Sequence, residues 1–210
     1  LVPRPETELL VETALELLSG VPDPGSRGHG GEERLSLADA GTGSGAIAVS
    51  LAYYLDKALV YATDISRAAL AVAAENARRH GVAGRIVLLE GDLLSPLRAF
   101  LSPGSLSLVA ANLPYIPSAD IGRLMPDVAR YEPHLALDGG PDGLELYRRL
   151  VPQAQELLVP GGYLLMEIDP SQVPLIPRLL PEGSWRYRVR RDLAGRERLV
   201  VAQLTGSLSR

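Results

Sequence analysis

Leu9, Leu10, Thr13, Ala14, Leu17 and Leu18 recur at helical spacing with glutamates between them, which predicts an amphipathic helix over residues 5–18. Residues 20–34 break that pattern with glycine, proline and charge; they read as a mobile loop in which His29 is solvated. Beyond the loop, short apolar runs alternate with longer helical patterns. Strands are expected at residues 35–40, 58–63, 85–89, 106–111 and 163–168. Helices are expected over 46–55, from a Ser66 cap to about His80 with Gly81 as the stop, over 143–158, and between prolines over 173–180. Residues 185–189 and 198–202 form a terminal hairpin through Asp192-Leu193-Ala194-Gly195. Strand–helix alternation implies right-handed crossovers and a mainly parallel sheet. The hairpin must run antiparallel, so the expectation is a seven-stranded mixed α/β sheet with helices on both faces. One domain over residues 35–210, with the helix and loop of 1–34 joined to it, is the economical division.

The composition changes this picture little. At 210 residues, 46% hydrophobic and 22% charged, the chain is long enough for one sizeable core. A net charge of −4 argues against a general nucleic-acid binder, so no direct nucleic-acid contact is expected. The absence of cysteine excludes disulfides, thiolate catalysis and cysteine metal sites. His29, His80 and His134 lie far apart, without a metal-ligand spacing, and no metal is expected. The apolar runs end well short of ~18 residues, so no membrane contact is expected, and no secretory pattern opens the chain. Absent cysteine only permits a reducing compartment, and the location expected for the chain is cytoplasmic. Twenty arginines against one lysine look like codon bias.

Two segments carry chemistry. The first is Asp39-Ala40-Gly41-Thr42-Gly43-Ser44-Gly45-Ala46, at the first strand-to-helix turn, where glycines permit a sharp turn and a close-lying ligand. Asp64 ends the second strand 23 residues after Gly41, where a carboxylate can accept both hydroxyls of a ribose. Together they indicate a nucleoside across the ends of the first two strands. Gly41-x-Gly43-x-x-Ala46 fits the dinucleotide fingerprint. Gly41-x-Gly43-x-Gly45, with Asp39 two positions earlier, resembles the S-adenosylmethionine loop of class I methyltransferases, whose ligand has no pyrophosphate to seat on a helix terminus. A glycine turn that serves only packing is the bland alternative. Asp92, in Gly91-Asp92-Leu93, either faces an adenine or caps a turn.

The second segment is Asn112-Leu113-Pro114-Tyr115, after the fourth strand and on the same edge. An amide nitrogen is a poor nucleophile because its lone pair is delocalised; as a methyl acceptor it needs hydrogen-bond acceptors on its NH₂, not a strong base. Asn112 supplies a side-chain carbonyl and Leu113 a backbone one, aimed by the restriction that Pro114 places on residue 113. Tyr115 offers a flat face for a planar amide or base. The bland alternative is an Asn-Pro loop turn with a packing tyrosine.

The ordered set of motifs resembles the HemK/PrmC family of protein-glutamine methyltransferases across nearly the whole chain. Pro3-Arg4-Pro5-Glu6-Thr7-Glu8 is similar to the family's PRPxTE segment, which makes Leu1-Val2-Pro3-Arg4 native and not a protease-site remnant. Arg130-Tyr131-Glu132-Pro133, Leu137-Asp138-Gly139-Gly140-x-Asp142-Gly143 and Arg191-Asp192…Glu197-Arg198 follow at family spacing. The resemblance implies a class I, Rossmann-like fold, S-adenosylmethionine as donor, and the Gly-Gly-Gln glutamine of a peptide chain release factor as acceptor. It implies cofactor contacts at Thr7, Asp39, Gly41, Thr42, Gly43, Ser44, Gly45, Asp64, Ile65, Asp92, Leu93 and Asn112. It implies glutamine contacts at Arg4, Pro5, Asn112, Leu113, Pro114 and Tyr115, with residues 4–7 closing over the site. Leu113 departs from the family's NPPY, which keeps the carbonyl and loses rigidity. Members usually carry an N-terminal helical domain that grips the release factor, and this chain starts where that domain would end.

A ribosomal protein could be the acceptor instead, or an adenine amino group in DNA or RNA, which poses a similar problem. Base capture needs basic contacts. Residues 182–210 carry seven arginines against three acids, with Arg186, Arg188 and Arg190 on one strand face, and read first as a charged sheet edge. From other classes stand an NAD-linked oxidoreductase, for which no proton donor can be nominated, and a non-catalytic cofactor-binding subunit. Tyr53, Tyr54, Phe100, Tyr147 and Trp185 read as core or rim packing, the 131–143 motifs as turns shaping the acceptor cleft, and His134 as structural or solvated.

Overall fold

Helix α1 (Pro5–Leu18) places Leu10, Ala14 and Leu18 on one buried stripe, as the 3–4 residue spacing demands. The protein is described here from a computed structural model, over residues 5–19, 35–123 and 137–206. The predicted loop with His29, the Arg130–Pro133 motif with His134, and Arg4 lie outside those residues; Pro5 is described only as helix backbone.

Seven strands form one sheet in the order β3-β2-β1-β4-β5-β7-β6. The first four are β1 (Leu35–Ala40), β2 (Ala58–Asp64), β3 (Ile86–Glu90) and β4 (Leu106–Ala111). They are followed by β5 (Leu158–Glu167), β6 (Trp185–Arg191) and β7 (Glu197–Leu204). β1 pairs in parallel with β2 on one side and β4 on the other, so strand order reverses between β1 and β4. Helices α2 (Ala46–Tyr54) and α3 (Arg67–Arg79) and the residues of α1 join one apolar layer with Leu37, Val60 and Leu108. Helix α4 (Glu145–Leu157) and the short α5 (Ile176–Leu179) cover the other face with Val109, Leu164 and Met166. β4 is buried along its whole length, consistent with a parallel strand covered on both faces.

Several element ends differ from the sequence pattern, most by one or two residues, and three differences have a visible cause. β5 begins at Leu158, not 163: the strand carries Pro160-Gly161-Gly162 as a bulge, with the partner of Leu158 at Leu106 and that of Tyr163 at Leu108. Gly161 has φ +83°, a conformation glycine adopts without strain. The helix expected over 143–158 starts two residues later, at Glu145, because Gly143 has φ +76° and cannot continue a right-handed turn. The helix expected over 173–180 is instead a 3₁₀ segment, Pro170–Leu175, followed by α5. Asp169 starts it with a reciprocal cap: its carboxylate accepts from Ser171 N, and Gln172 Oε1 accepts from Asp169 N. The Arg191-Asp192…Glu197-Arg198 motif closes the terminal hairpin, Asp192 accepting from Arg196 N at 2.9 Å and Nε at 3.0 Å.

Candidate active site

The register brings the site together. Ala40 pairs with Thr63 on one side and Ala111 on the other, so Gly41, Asp64 and Asn112 leave the sheet side by side. This is the crevice at the switch point of a doubly wound sheet, where ligands bind.

On the nucleoside side, Asp64 Oδ2 accepts from Gly43 N and Oδ1 from Ser66 N, both at 2.8 Å. A carboxylate has about four acceptor sites, so capacity for ribose hydroxyls remains. Gly43 has φ +57° and nothing within 4 Å of where a Cβ would stand, so its backbone borders open space. Gly45 is different: a Cβ there would come within 2.9 Å of Ala73 Cβ, so it serves the approach of α2 to α3. Asn76 Nδ2 donates to Ser44 O at 2.9 Å and holds the loop against α3. Ile65 is 55% exposed beside Asp64. Gly91 N donates to Asp64 O at 3.0 Å, which brings the third strand's turn to the same place. In that turn Asp92 is paired with Arg149, and Leu94 N donates to Gln153 Oε1 at 2.9 Å, so α4 anchors it. Leu93 is buried with φ +50°, a strained conformation for a non-glycine residue.

On the acceptor side, Asn112 is half-buried and its Nδ2 donates to Thr7 Oγ1 at 3.1 Å. Thr7 Oγ1 in turn donates to Glu167 Oε2 at 3.4 Å. The Leu113 side chain is buried against the glycine loop, its Cδ2 only 2.7 Å from where a Cβ on Gly41 would stand. Leu113 N donates to Tyr147 Oη at 3.3 Å. Burial pushes the Tyr147 phenol well above its ordinary value, so it keeps its proton and donates to Glu167 O at 2.5 Å. A leucine in this tetrad brings a buried N–H that a proline would lack, and Tyr147 supplies its acceptor. The Leu137–Gly143 motif packs under the tetrad. Ile116 N donates to Leu137 O at 3.1 Å and Gly139 N to Ile116 O at 2.9 Å. Gln172 Nε2 donates to Tyr115 O at 2.8 Å and to Asp142 O at 3.2 Å.

Residues 37–131 match the methyltransferase domain family. The chain is 51% identical to the release factor glutamine methyltransferase of Moorella thermoacetica over 204 residues, 96% of this chain and 66% of that protein. It is 43% identical to the protein of the same name from Deinococcus radiodurans over 206 residues, 98% of this chain and 67% of that one. The chain belongs to the release factor glutamine methyltransferase family. It spans about two thirds of the length of these curated relatives. Among solved structures, an RNA methyltransferase from Salinibacter ruber in complex with S-adenosyl-L-homocysteine superposes with a TM-score of 0.56 at 20% identity, covering 99% of this chain and 96% of that one. That likeness shows the class I methyltransferase fold, with its antiparallel β5-β7-β6 end.

S-adenosylmethionine, the cofactor implied by the family, fits the residues present. Gly43 leaves room that a side chain would fill, Asp64 offers a carboxylate at the mouth, and Ile65 gives an apolar face beside it. Asp39 is fully buried behind the loop. Its Oδ2 accepts from Thr42 Oγ1 at 2.5 Å and Ala48 N at 3.1 Å, while Oδ1 has no hydrogen-bond partner. Sequence reasoning missed Glu167, Gln172 and the role of Tyr147: they stand 55, 60 and 35 positions from Asn112, outside any motif that spacing could reveal. Among the described residues there is no metal-ligand cluster, and no helix is long and apolar enough to cross a membrane.

Asp39 makes stability depend on pH. Burial raises its carboxyl from 3.8 to about 6; the Thr42 and Ala48 hydrogen bonds oppose this, and the charge of Asp64 adds to it. A folded-state pKa above the unfolded one means the native protein binds the extra proton. Stability therefore falls as pH rises from about 4 to 6, and the loss is complete above that. The gap corresponds to roughly 3 kcal/mol. Asp39→Asn is expected to flatten this slope and to recover part of that energy at pH 7.5. Urea midpoints of the cofactor-free variant and wild type across this range check it; parallel slopes would refute it.

Proposed function

We propose that this chain transfers a methyl group from S-adenosylmethionine to the side-chain amide nitrogen of a glutamine, in the Gly-Gly-Gln motif of a peptide chain release factor. The observation that carries this reading is the Asn112 carboxamide one residue beyond β4, beside the glycine loop, with its amino end already engaged by Thr7. Family membership supports the same acceptor. Release factors act during protein synthesis, which puts the reaction in the cytoplasm.

Gly41 to Gly45, Asp64, Ile65 and the Gly91–Leu93 turn would hold the cofactor, which when bound supplies an electrophilic methyl carbon. Asn112 Oδ1 accepts one N–H of the glutamine amide and the Leu113 carbonyl the other. Held in this way, the amide plane keeps its nitrogen facing the methyl group. Two acceptors also favour the nitrogen as it gains positive character. The proton leaves after transfer, so no strong base is needed, and positioning supplies most of the rate. Pro114 keeps residue 113 extended, and Tyr115 flanks the amide. Arg4 and Pro5 are proposed to close over the acceptor.

The test is peptide mass spectrometry after incubation with S-adenosylmethionine and a purified release factor. One added methyl on the Gly-Gly-Gln glutamine is the expected result. Methylation of ribosomal proteins or of adenine-bearing DNA instead would overturn the acceptor assignment.

A further inference from the structure

We propose that Thr7 and Glu167 are positioning residues that decide which end of the Asn112 carboxamide faces the acceptor. The inference rests on the amide chemistry proposed above, and it takes its direction from counting protons. Thr7 carries one hydroxyl proton. That proton goes to Glu167 Oε2, 3.4 Å away. The hydroxyl oxygen then has only lone pairs to offer Asn112. The Asn112 atom 3.1 Å from it must be the donor, Nδ2, and the carbonyl Oδ1 is turned to the other side. That side is where a glutamine NH₂ must find an acceptor.

The arrangement is built into the fold. Thr7 stands in the first turn of α1 and Glu167 is the last residue of β5, and they are 9% and 2% exposed. A solvated asparagine could offer either end. This one is oriented by two elements that meet over it, α1 from the start of the chain and β5 from across the sheet. Thr7 therefore acts on the acceptor through Asn112, whatever its nearness to the cofactor.

The test uses the full chain with a Gly-Gly-Gln peptide at saturating S-adenosylmethionine. Thr7→Val keeps the shape and removes the hydroxyl; Thr7→Ser restores it. Thr7→Val is expected to lower kcat roughly tenfold, the effect of one lost orienting hydrogen bond. Thr7→Ser is expected to return most of it, and cofactor affinity by calorimetry to stay within about twofold in both. Thr7→Val should add nothing in the Asn112→Ala background, because the residue it orients is gone. A full additional loss in that background would overturn the proposal. So would a Thr7→Val protein with normal kcat and weakened cofactor binding, which would make Thr7 a cofactor contact. One readout needs no catalysis: the Asn112 side-chain amide protons should exchange faster with solvent in Thr7→Val than in wild type or Thr7→Ser. Equal exchange in all three refutes the positioning role. Slowed exchange in wild type without transfer to the peptide would leave the positioning intact and remove the acceptor assignment instead.

Discussion

Asn112→Ala is expected to lower methyl transfer to the glutamine amide by roughly 10²–10³-fold, the usual cost of removing one preorganised polar contact from a reacting group. The loss should fall on kcat more than on KM, because the Oδ1 contact matters most as the nitrogen gains positive character. The fold should tolerate the change. Asn112 is only half-buried, and the Thr7 hydroxyl to which it donates keeps Glu167 as a partner. Cofactor affinity should change much less, since Gly43, Asp64 and Ile65 leave the sheet on two other loops. Single-turnover mass spectrometry at saturating cofactor, with calorimetry for the cofactor itself, separates the two effects. Transfer within threefold of wild type would remove Asn112 from the centre of the chemistry.

Gly143→Ala should unfold the acceptor side of the site. Gly143 has φ +76°, which costs an alanine about 1 kcal/mol by itself. Its new Cβ would stand 2.1 Å from Tyr115 O and 2.2 Å from Gln172 Nε2. Neither can yield cheaply: the first is backbone, and the second already donates to Tyr115 O and Asp142 O. Strain and overpacking together come to roughly 3 kcal/mol, or a Tm lower by ~6–12 °C at this chain length. Gly183→Ala is the matched control. It has φ +86° but nothing within 4 Å of its would-be Cβ, so it should lose only the conformational part. Equal Tm shifts for the two variants would show that the Tyr115–Gln172 contact yields freely. A larger shift for Gly143→Ala, with loss of transfer, is the expected outcome.

The nucleoside side of the site was legible in the sequence because its parts are local. A strand, a glycine turn and a helix lie within twenty residues, and Asp64 follows at the distance one crossover requires. The tetrad was legible for the same reason, since four consecutive residues carry its donors and acceptors. The role of the Leu137–Gly143 glycines was visible only as turns. What they turn under is Pro114 and Tyr115, whose carbonyl oxygens a Cβ at Gly139 or Gly143 would strike. Asp92 shows the opposite limit: spacing left open whether it faces a base or caps a turn, and its partner is Arg149, 57 positions further along the chain.

The sequence by itself determined the alternation of elements, the mixed sheet and the two loops at its carboxyl edge. Those follow from hydrophobic period and from glycines, which act within a few residues. Only the tertiary structure decided how the acceptor loop is held. Thr7, Tyr147, Glu167 and Gln172 come from four elements and converge on residues 112–115 because strand order and register put them there. Each satisfies a buried or half-buried polar group, a requirement that belongs to the packed molecule and leaves no periodic trace in the chain.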